Sequence, residues 1–345
     1  MPSDSMRAVQ CSGPGRLEQA RLPIPEPGPG EVRVRIAACG ICGSDMHLLP
    51  FGYAGQCVVP GHEMTGEVDL LGDGVAGLAT GDRVVVEPLR SCGACPPCHR
   101  GQHALCPESR LLGIHIDGGF AEYACVPAQR LYPIARRIPA RLAALAEPMA
   151  VAIHGLDRGN VSGDSKVLVL GAGTLGLLGT LAARERGAEV WVSARYPHQA
   201  DLARAFGATR VLSEAESSLE ALDALRGEID FSCVLESVGS GGNTLPLAAA
   251  AVAPGGCISI LGIFIEPIEL NPALLFFKEV TLAWSNCYQQ GRAPADFAEA
   301  VRLIEALADT LEPITTHQIA LDEIERGFAI AGDRSSGAVK VSVLL

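Results

Sequence analysis

The sequence predicts an α/β protein of two units, a β-rich amino-terminal module followed by a doubly wound parallel sheet. Three observations carry this. The first 150 residues are short β-type runs broken by turn residues. From Ser165 onward apolar runs alternate with helical stretches, and the first such run leads into a glycine-rich turn that opens a helix. The chain has 345 residues, 48% of them hydrophobic and 19% charged, which excludes disorder. Its 39 glycines and 23 prolines follow no Gly-X-Y period, which excludes collagen. The length suits two domains with a core that needs no disulfide staples.

In chain order, the first module holds VRVRIAACG, GEVDLLG and DRVVVEP, with PIPEPGPG as an early hinge, and reads as all-β or barrel-like. The second unit opens with KVLVLG and a helix to Arg186, then AEVWVS and a helix to Phe206, then FSCVLE and CISILG. Uninterrupted apolar strands alternating with helices predict a parallel sheet covered on both faces. The stretch Ser237 to Ile265 carries no charge, but Pro246, Pro254 and Gly255-Gly256 divide it into a helix, a turn and a buried strand rather than a membrane span. After about Tyr288 two amphipathic helices are expected, near Asp296 to Ala308 and Leu321 to Ala331, and then the strand AVKVSVLL.

Lys plus Arg total 27 against 39 Asp plus Glu, a formal net charge of −12 that repels phosphate backbones and anionic membranes. Lys166, Lys278 and Lys340 are the only lysines, so Schiff-base chemistry has few candidates. The start MPSDSMRAVQ has no apolar export region, which leads to an expectation of the cytoplasm. In a reducing compartment the twelve cysteines are expected as metal ligands, nucleophiles or core residues rather than disulfides.

Three constellations carry chemistry. Cys92, Cys95, Cys98 and Cys106 form C-x2-C-x2-C-x7-C in a Gly/Pro-rich loop, which matches a closed tetrahedral zinc site stabilising a loop too short for its own core. The alternatives are inert buried cysteines and an iron–sulfur cluster, since Pro107 follows Cys106 as in ferredoxins, although the last gap is too long. The second set is scattered: Cys42 in CGICGSDMH, His62-Glu63 in PGHE, and Glu147 in LAEPM. A lone Cys or His is ordinarily core, and Cys39 and Cys57 are read as packing. Together, however, a thiolate, an imidazole and carboxylates are what an open catalytic zinc needs. The third is Gly171-Ala172-Gly173-Thr174-Leu175-Gly176, which directly follows the strand KVLVL and opens a helix, the context of a dinucleotide fingerprint. A purely structural turn is the alternative.

Taken in order along essentially the whole chain, these motifs resemble the zinc-dependent medium-chain dehydrogenase/reductase family of alcohol, polyol and threonine dehydrogenases. The resemblance implies a GroES-like catalytic domain over residues 1–152, with a structural zinc lobe at 88–110. A Rossmann NAD(P)-binding domain over 153–288 and a return to the catalytic domain over 289–345 follow. It implies two Zn2+ per chain, with Cys42 and His62 as catalytic-zinc ligands. The third ligand stays open between Glu147, which stands where the alcohol dehydrogenase branch has a second cysteine, Glu63 and water. Asp45 is expected to accept the other N–H of His62 and fix its tautomer. Ser44 and His47 match the family's proton relay. The implied activity is hydride transfer between a secondary alcohol, polyol-like or otherwise hydroxylated, or its ketone, and NAD(P). Oxidation of an amino alcohol in the manner of threonine dehydrogenase is one alternative. A non-enzymatic nucleotide- and zinc-binding sensor is another, although it would need no relay beside an open metal position. The partners implied are a small-molecule substrate and a second or further copy of the chain, as homodimer or homotetramer, with neither nucleic acid nor membrane.

Cofactor choice is read at the end of the second strand, where an NAD site places Asp or Glu. Here the strand ends in Ser193-Ala194-Arg195-Tyr196, and alignment to the family puts Ala194 at the acidic position. Arg195 with Ser193 offers partners to a 2′-phosphate, so NADP(H) is expected over NAD(H). The alternative is that Arg195 is a solvated residue ahead of a helix beginning near Pro197. By the same resemblance Ser237-Val238-Gly239 and Leu261-Gly262-Ile263, at the ends of the fourth and fifth strands, flank ribose and nicotinamide, and Lys340 reaches the pyrophosphate. The segment Leu48 to Tyr53 is expected at the substrate pocket, with Phe51 and Tyr53 alternatively core.

Overall fold

The structure, a computed structural model, describes residues 5–55, 57–224, 229–240, 242–291 and 293–345. The chain divides into two units, Met1–Glu147 with Gln289–Leu345, and Pro148–Tyr288. The first division falls inside the helix Ala146–Arg158.

Alternation along Glu31–Ile41 builds the first unit. Val32, Val34 and Ile36 are buried, whereas Arg33 and Arg35 between them form ion pairs with Asp69 and Glu67 of the neighbouring strand, at 2.6 Å each. Among the described residues this strand sits in a seven-stranded sheet. The order is His317–Ala320, Val341–Leu344, Glu31–Ile41, Glu63–Leu71, Arg83–Val86 and Leu131–Pro133, with Tyr123–Pro127 also on Glu31–Ile41. The carboxy-terminal strand Val341–Leu344 pairs antiparallel with Glu31–Ile41, so the end of the chain completes the sheet begun near its start. A hairpin, Ser5–Gly13 with Arg16–Pro23, adds Val9 and Cys11 to the same core. The second expected amphipathic helix resolves into a 3-10 turn Leu321–Glu323 and the helix Ile324–Gly332, whose Phe328 packs edge-on against Phe120.

Residues 88–110 form a lobe with little of its own to bury: a two-residue ribbon, Leu89–Arg90 with Arg110–Leu111, a 3-10 turn, His103–Leu105, and a helical turn, Pro96–His99. Prolines at the first helical positions start that turn with their missing N–H groups where none is needed.

In the second unit, among the described residues, six strands lie in the order Arg210–Leu212, Glu189–Ser193, Lys166–Leu170, Phe231–Glu236, Val252–Ile260 and Thr281–Trp284, all parallel. Numbered along the chain this is 3-2-1-4-5-6, the Rossmann order, and its switch point lies between Lys166–Leu170 and Phe231–Glu236. Val167, Leu168, Val169 and Leu170 are all buried, as a strand covered on both faces must be. The uncharged stretch is a helix Thr244–Ala251 that passes straight into Val252–Ile260. The expected turn at Pro254 to Gly256 is instead an irregularity within the strand, with Gly255 at φ +72° and a register shift opposite Phe231 to Cys233. Among the described residues no helix is long and apolar enough to cross a membrane.

Candidate active site and metal centres

Cys42 follows the strand Glu31–Ile41 and caps the helix Gly43–Leu48 in extended backbone conformation, its amide donating to Asp45 Oδ2 at 2.9 Å. The adjacent strand begins at Glu63, in register with Gly40. Glycine is required there because a Cβ on Gly40 would lie 1.9 Å from Glu63 Oε2. This pairing brings donor atoms of Cys42, His62 and Glu63 within 4.8 Å of one another. His62 Nε2 lies 3.4 Å from Ser44 Oγ, and its Nδ1 faces Asp45 Oδ1 at 3.8 Å. Glu147, in the first turn of Ala146–Arg158, is buried within electrostatic reach of His62 and Glu63. His47 is half-buried in the last turn of Gly43–Leu48.

The donor set fits a divalent cation. Asp45, Glu63 and Glu147 are all buried, Glu63 lies within reach of the Cys42 sulfur, and buried Lys340 donates to Glu63. Three carboxylates and a thiol share this low-dielectric site with one lysine and one imidazole, a donor set that a divalent cation would complement. Burial pushes Asp45 upward and pushes Glu147 up to about 7. Burial opposes protonation of His62, yet the Cys42 sulfur and Asp45 outweigh it and raise the imidazole well above its ordinary value.

The lobe offers a second site. Its sulfur separations are 3.4 Å for Cys95 to Cys98, 3.5 Å for Cys92 to Cys106 and 3.9 Å for Cys92 to Cys98. Zinc–sulfur bonds of about 2.3 Å would place tetrahedral sulfurs roughly 3.8 Å apart. These separations suit a single tetrahedrally held ion. A buried network anchors the lobe: Glu87 pairs with Arg130, accepts from Tyr132 Oη at 2.9 Å and from Gln290 Nε2 at 2.7 Å, while Ser91 Oγ lies 2.6 Å from His103 Nδ1.

In the second unit the glycine-rich turn closes against the next strand. Gly171 has φ +98°, and a Cβ on Gly176 would lie 1.9 Å from the Gly171 carbonyl oxygen, so the turn and the first turn of Thr174–Glu185 pack without side chains between them. Gly173 caps that helix, whose amino-terminal end, including Leu175, presents amide donors of the kind that hold phosphate. Ser237 Oγ donates to the carbonyls of Leu170 at 2.9 Å and Gly171 at 3.1 Å, fixing the turn at the switch point. Leu261 is buried with its amide on the Glu236 carbonyl at 2.9 Å, and Ile263 is exposed. At the second strand's end, Ser193 Oγ accepts from Ser217 Oγ at 2.8 Å, and Arg195 is exposed with its guanidinium 5.8 Å from the Tyr196 ring centre.

The profile of the alcohol dehydrogenase GroES-like domain matches residues 28–136, and that of the zinc-binding dehydrogenase matches residues 174–306. L-threonine 3-dehydrogenase of Pyrococcus horikoshii is 34% identical, with 98% of each chain covered. The chain belongs to the zinc-dependent medium-chain dehydrogenase family. As a member of it, the protein is an NAD(P)-dependent dehydrogenase built from a GroES-like unit and a Rossmann unit. L-galactonate-5-dehydrogenase of Escherichia coli is 32% identical over 91% of this chain and 92% of its own. A Sinorhizobium meliloti protein solved bound to NADP superposes with a TM-score of 0.90 at 32% identity, covering 99% of both chains.

Several partners in this dehydrogenase escaped the linear reading. Lys340 does not serve a pyrophosphate: it is buried, donating to both Glu63 oxygens at 2.7 and 2.6 Å and to the Ile41 carbonyl at 3.1 Å, because Val341–Leu344 pairs with Glu31–Ile41. Cys57 is exposed rather than packed, since Val58 takes the inward place beside Cys11. Cys39 is buried as expected. Phe51 is exposed, whereas Tyr53 is buried with its hydroxyl on Asp45. A carboxylate does come near Arg195: Glu214 Oε2, just past the neighbouring strand Arg210–Leu212, lies 3.7 Å from its Nε. Glu236 is fully buried and accepts from the amides of Val238 and Gly239 and from Thr244 Oγ1 at 2.8 to 3.0 Å, holding the loop after the fourth strand.

Proposed function

We propose that this dehydrogenase transfers hydride between a secondary alcohol of polyol-like or otherwise hydroxylated character, or its ketone, and NADP(H). One zinc would be held by Cys42, His62 and Glu63, with Glu147 as a further carboxylate in reach, and a second by Cys92, Cys95, Cys98 and Cys106. The observation that carries this is the convergence of the Cys42, His62 and Glu63 donor atoms within 4.8 Å. Zinc at such a site acts as a Lewis acid that makes an alcohol proton acidic near neutral pH. The chain's own residues supply the rest. Asp45 sets the tautomer of His62, and Lys340 holds the Glu63 carboxylate in place. Ser44 and His47 carry the alcohol proton away, the hydroxyl passing it on and the imidazole releasing it to solvent.

The cofactor binds on the turn Gly171 to Gly176, with Ser237, Leu261 and Ile263 along its ribose and nicotinamide side. Ser193, Arg195 and Tyr196 would take the 2′-phosphate, and Arg195, drawn only loosely by exposed Glu214, is available for it. Of the structural relatives, one is bound to NADP and another to NADH. A second reading, oxidation of an amino alcohol, is favoured by the threonine-dehydrogenase relatives.

A panel of polyols, sugar acids and threonine, assayed with both cofactors, separates the readings. We expect turnover on a polyol-like substrate with kcat/KM at least tenfold higher for NADP than for NAD. Arg195→Ala should remove roughly tenfold of that preference, the scale of one charge-assisted hydrogen bond. Activity on threonine alone would select the second reading, and a native preference for NAD would overturn the cofactor assignment.

The protein should also self-associate through the second unit. Thr281–Trp284 is an edge strand, and Phe276, Phe277 and Trp284 near it are 76%, 83% and 56% exposed. An edge strand with exposed aromatics is a ready site for a symmetric partner. Light scattering should show a dimer or tetramer, and Phe277→Asp should shift it toward smaller species; a monomeric native protein would refute this.

A further inference from the structure

Tyr53 combines two features that pure packing does not require. Its backbone lies at φ +49°, a left-handed conformation that a bulky side chain avoids, and it directly follows Gly52 at φ +62°. Its ring is 1% exposed, and its hydroxyl, rather than facing water, donates to Asp45 Oδ1 at 2.9 Å. The other Asp45 oxygen, Oδ2, accepts from the Cys42 amide at 2.9 Å, so both oxygens are held and the carboxylate cannot rotate. Oδ1 is also the atom that faces His62 Nδ1, at 3.8 Å, longer than a hydrogen bond, and that buried nitrogen has no hydrogen-bond partner. A strained residue that persists in a structure points to a constraint placed there for function.

We propose that Tyr53 is a positioning residue for the metal centre, fixing Asp45 so that it orients His62. The proposal rests on the reading that Cys42 and His62 hold a metal. The Tyr53 hydroxyl keeps Oδ1 aimed at Nδ1, which leaves Nε2 for the ion and holds the ring in one tautomer. A phenylalanine would fill the same space and remove the bond to Oδ1, leaving the carboxylate held by the Cys42 amide alone.

The test is competition for zinc between the full chain and a chromophoric chelator, with metal content counted per chain. Native protein should bind two ions. Asp45→Asn should weaken one of them roughly 10- to 100-fold. Tyr53→Phe should weaken that same ion about fivefold, the scale of one hydrogen bond. Added to Asp45→Asn, it should change nothing further, because its effect passes through that carboxylate. The ion in the cysteine lobe serves as the internal standard and should be held equally by all variants. Native-like affinity in Tyr53→Phe would overturn the proposal. So would a loss that adds fully to that of Asp45→Asn, or a simultaneous loss of the lobe ion, each showing a role in packing alone. A native chain that binds only the lobe ion would instead defeat the reading of Cys42 and His62 as ligands.

Discussion

Cys42→Ala should lower turnover by about a thousandfold or more while reducing zinc content from two ions per chain to one. The size follows from what the ion contributes. Lewis-acid stabilisation of developing negative charge is worth several kcal/mol, and each ~1.4 kcal/mol is a factor of ten in rate. The loss should exceed that of any single-residue change in the cofactor site, because a missing thiolate removes a ligand and adds nothing to replace it. Melting behaviour should change little. Cys42 follows a strand whose pairing partners, Glu63–Leu71 and Val341–Leu344, are retained, and its amide still donates to Asp45. Relieving one anion in a site already crowded with Asp45, Glu63 and Glu147 would even favour the empty folded state. Metal analysis by mass spectrometry together with steady-state rates decides it. Unchanged activity, or two ions still bound, would remove Cys42 from the metal site.

What could be read from the sequence was whatever is local. The four cysteines of the lobe lie within fifteen residues, and the glycine turn adjoins its own strand and helix, so spacing alone places them. The strands of both units were legible because their alternating or continuous apolar runs reflect one or two buried faces. What was hidden depends on strand register and on chain ends meeting. The pairing of Lys340 with Glu63 spans 277 positions and exists only because Val341–Leu344 joins Glu31–Ile41, which no spacing reveals. Glu214 meets Arg195 because parallel strands place their ends side by side. Tyr53 was ambiguous between pocket and core because the sequence shows a phenol but not the direction of its hydroxyl. Gly52 ahead of it, able to adopt a positive φ, was the one local hint of an unusual turn.

Cys98→Ser should open the lobe without dismantling the unit that carries it. The lobe's two-residue ribbon and two short turns bury too little apolar surface to offset the entropy of ordering some twenty residues. Four sulfurs around one ion would hold it closed, and Cys98, buried like Cys106, lies near both Cys92 and Cys95. Replacing its sulfur with a hydroxyl removes a thiolate that the ion cannot recover from solvent with equal affinity. Local opening should then become frequent, and cleavage by trypsin at Arg100 should accelerate roughly a hundredfold, since proteolysis of a reversibly opened segment follows the free energy of opening. The surrounding sheet should stay resistant, because Glu87, Arg130, Tyr132 and Gln290 bond to one another outside the four-cysteine loop. Cys42→Ala gives the contrast: it loses an ion as well, yet its lobe should remain as resistant as that of the native chain. Equal trypsin resistance in Cys98→Ser would show that the lobe is held by that polar network and not by a metal. A brown native protein with absorbance near 400 nm would show an iron–sulfur cluster in place of zinc.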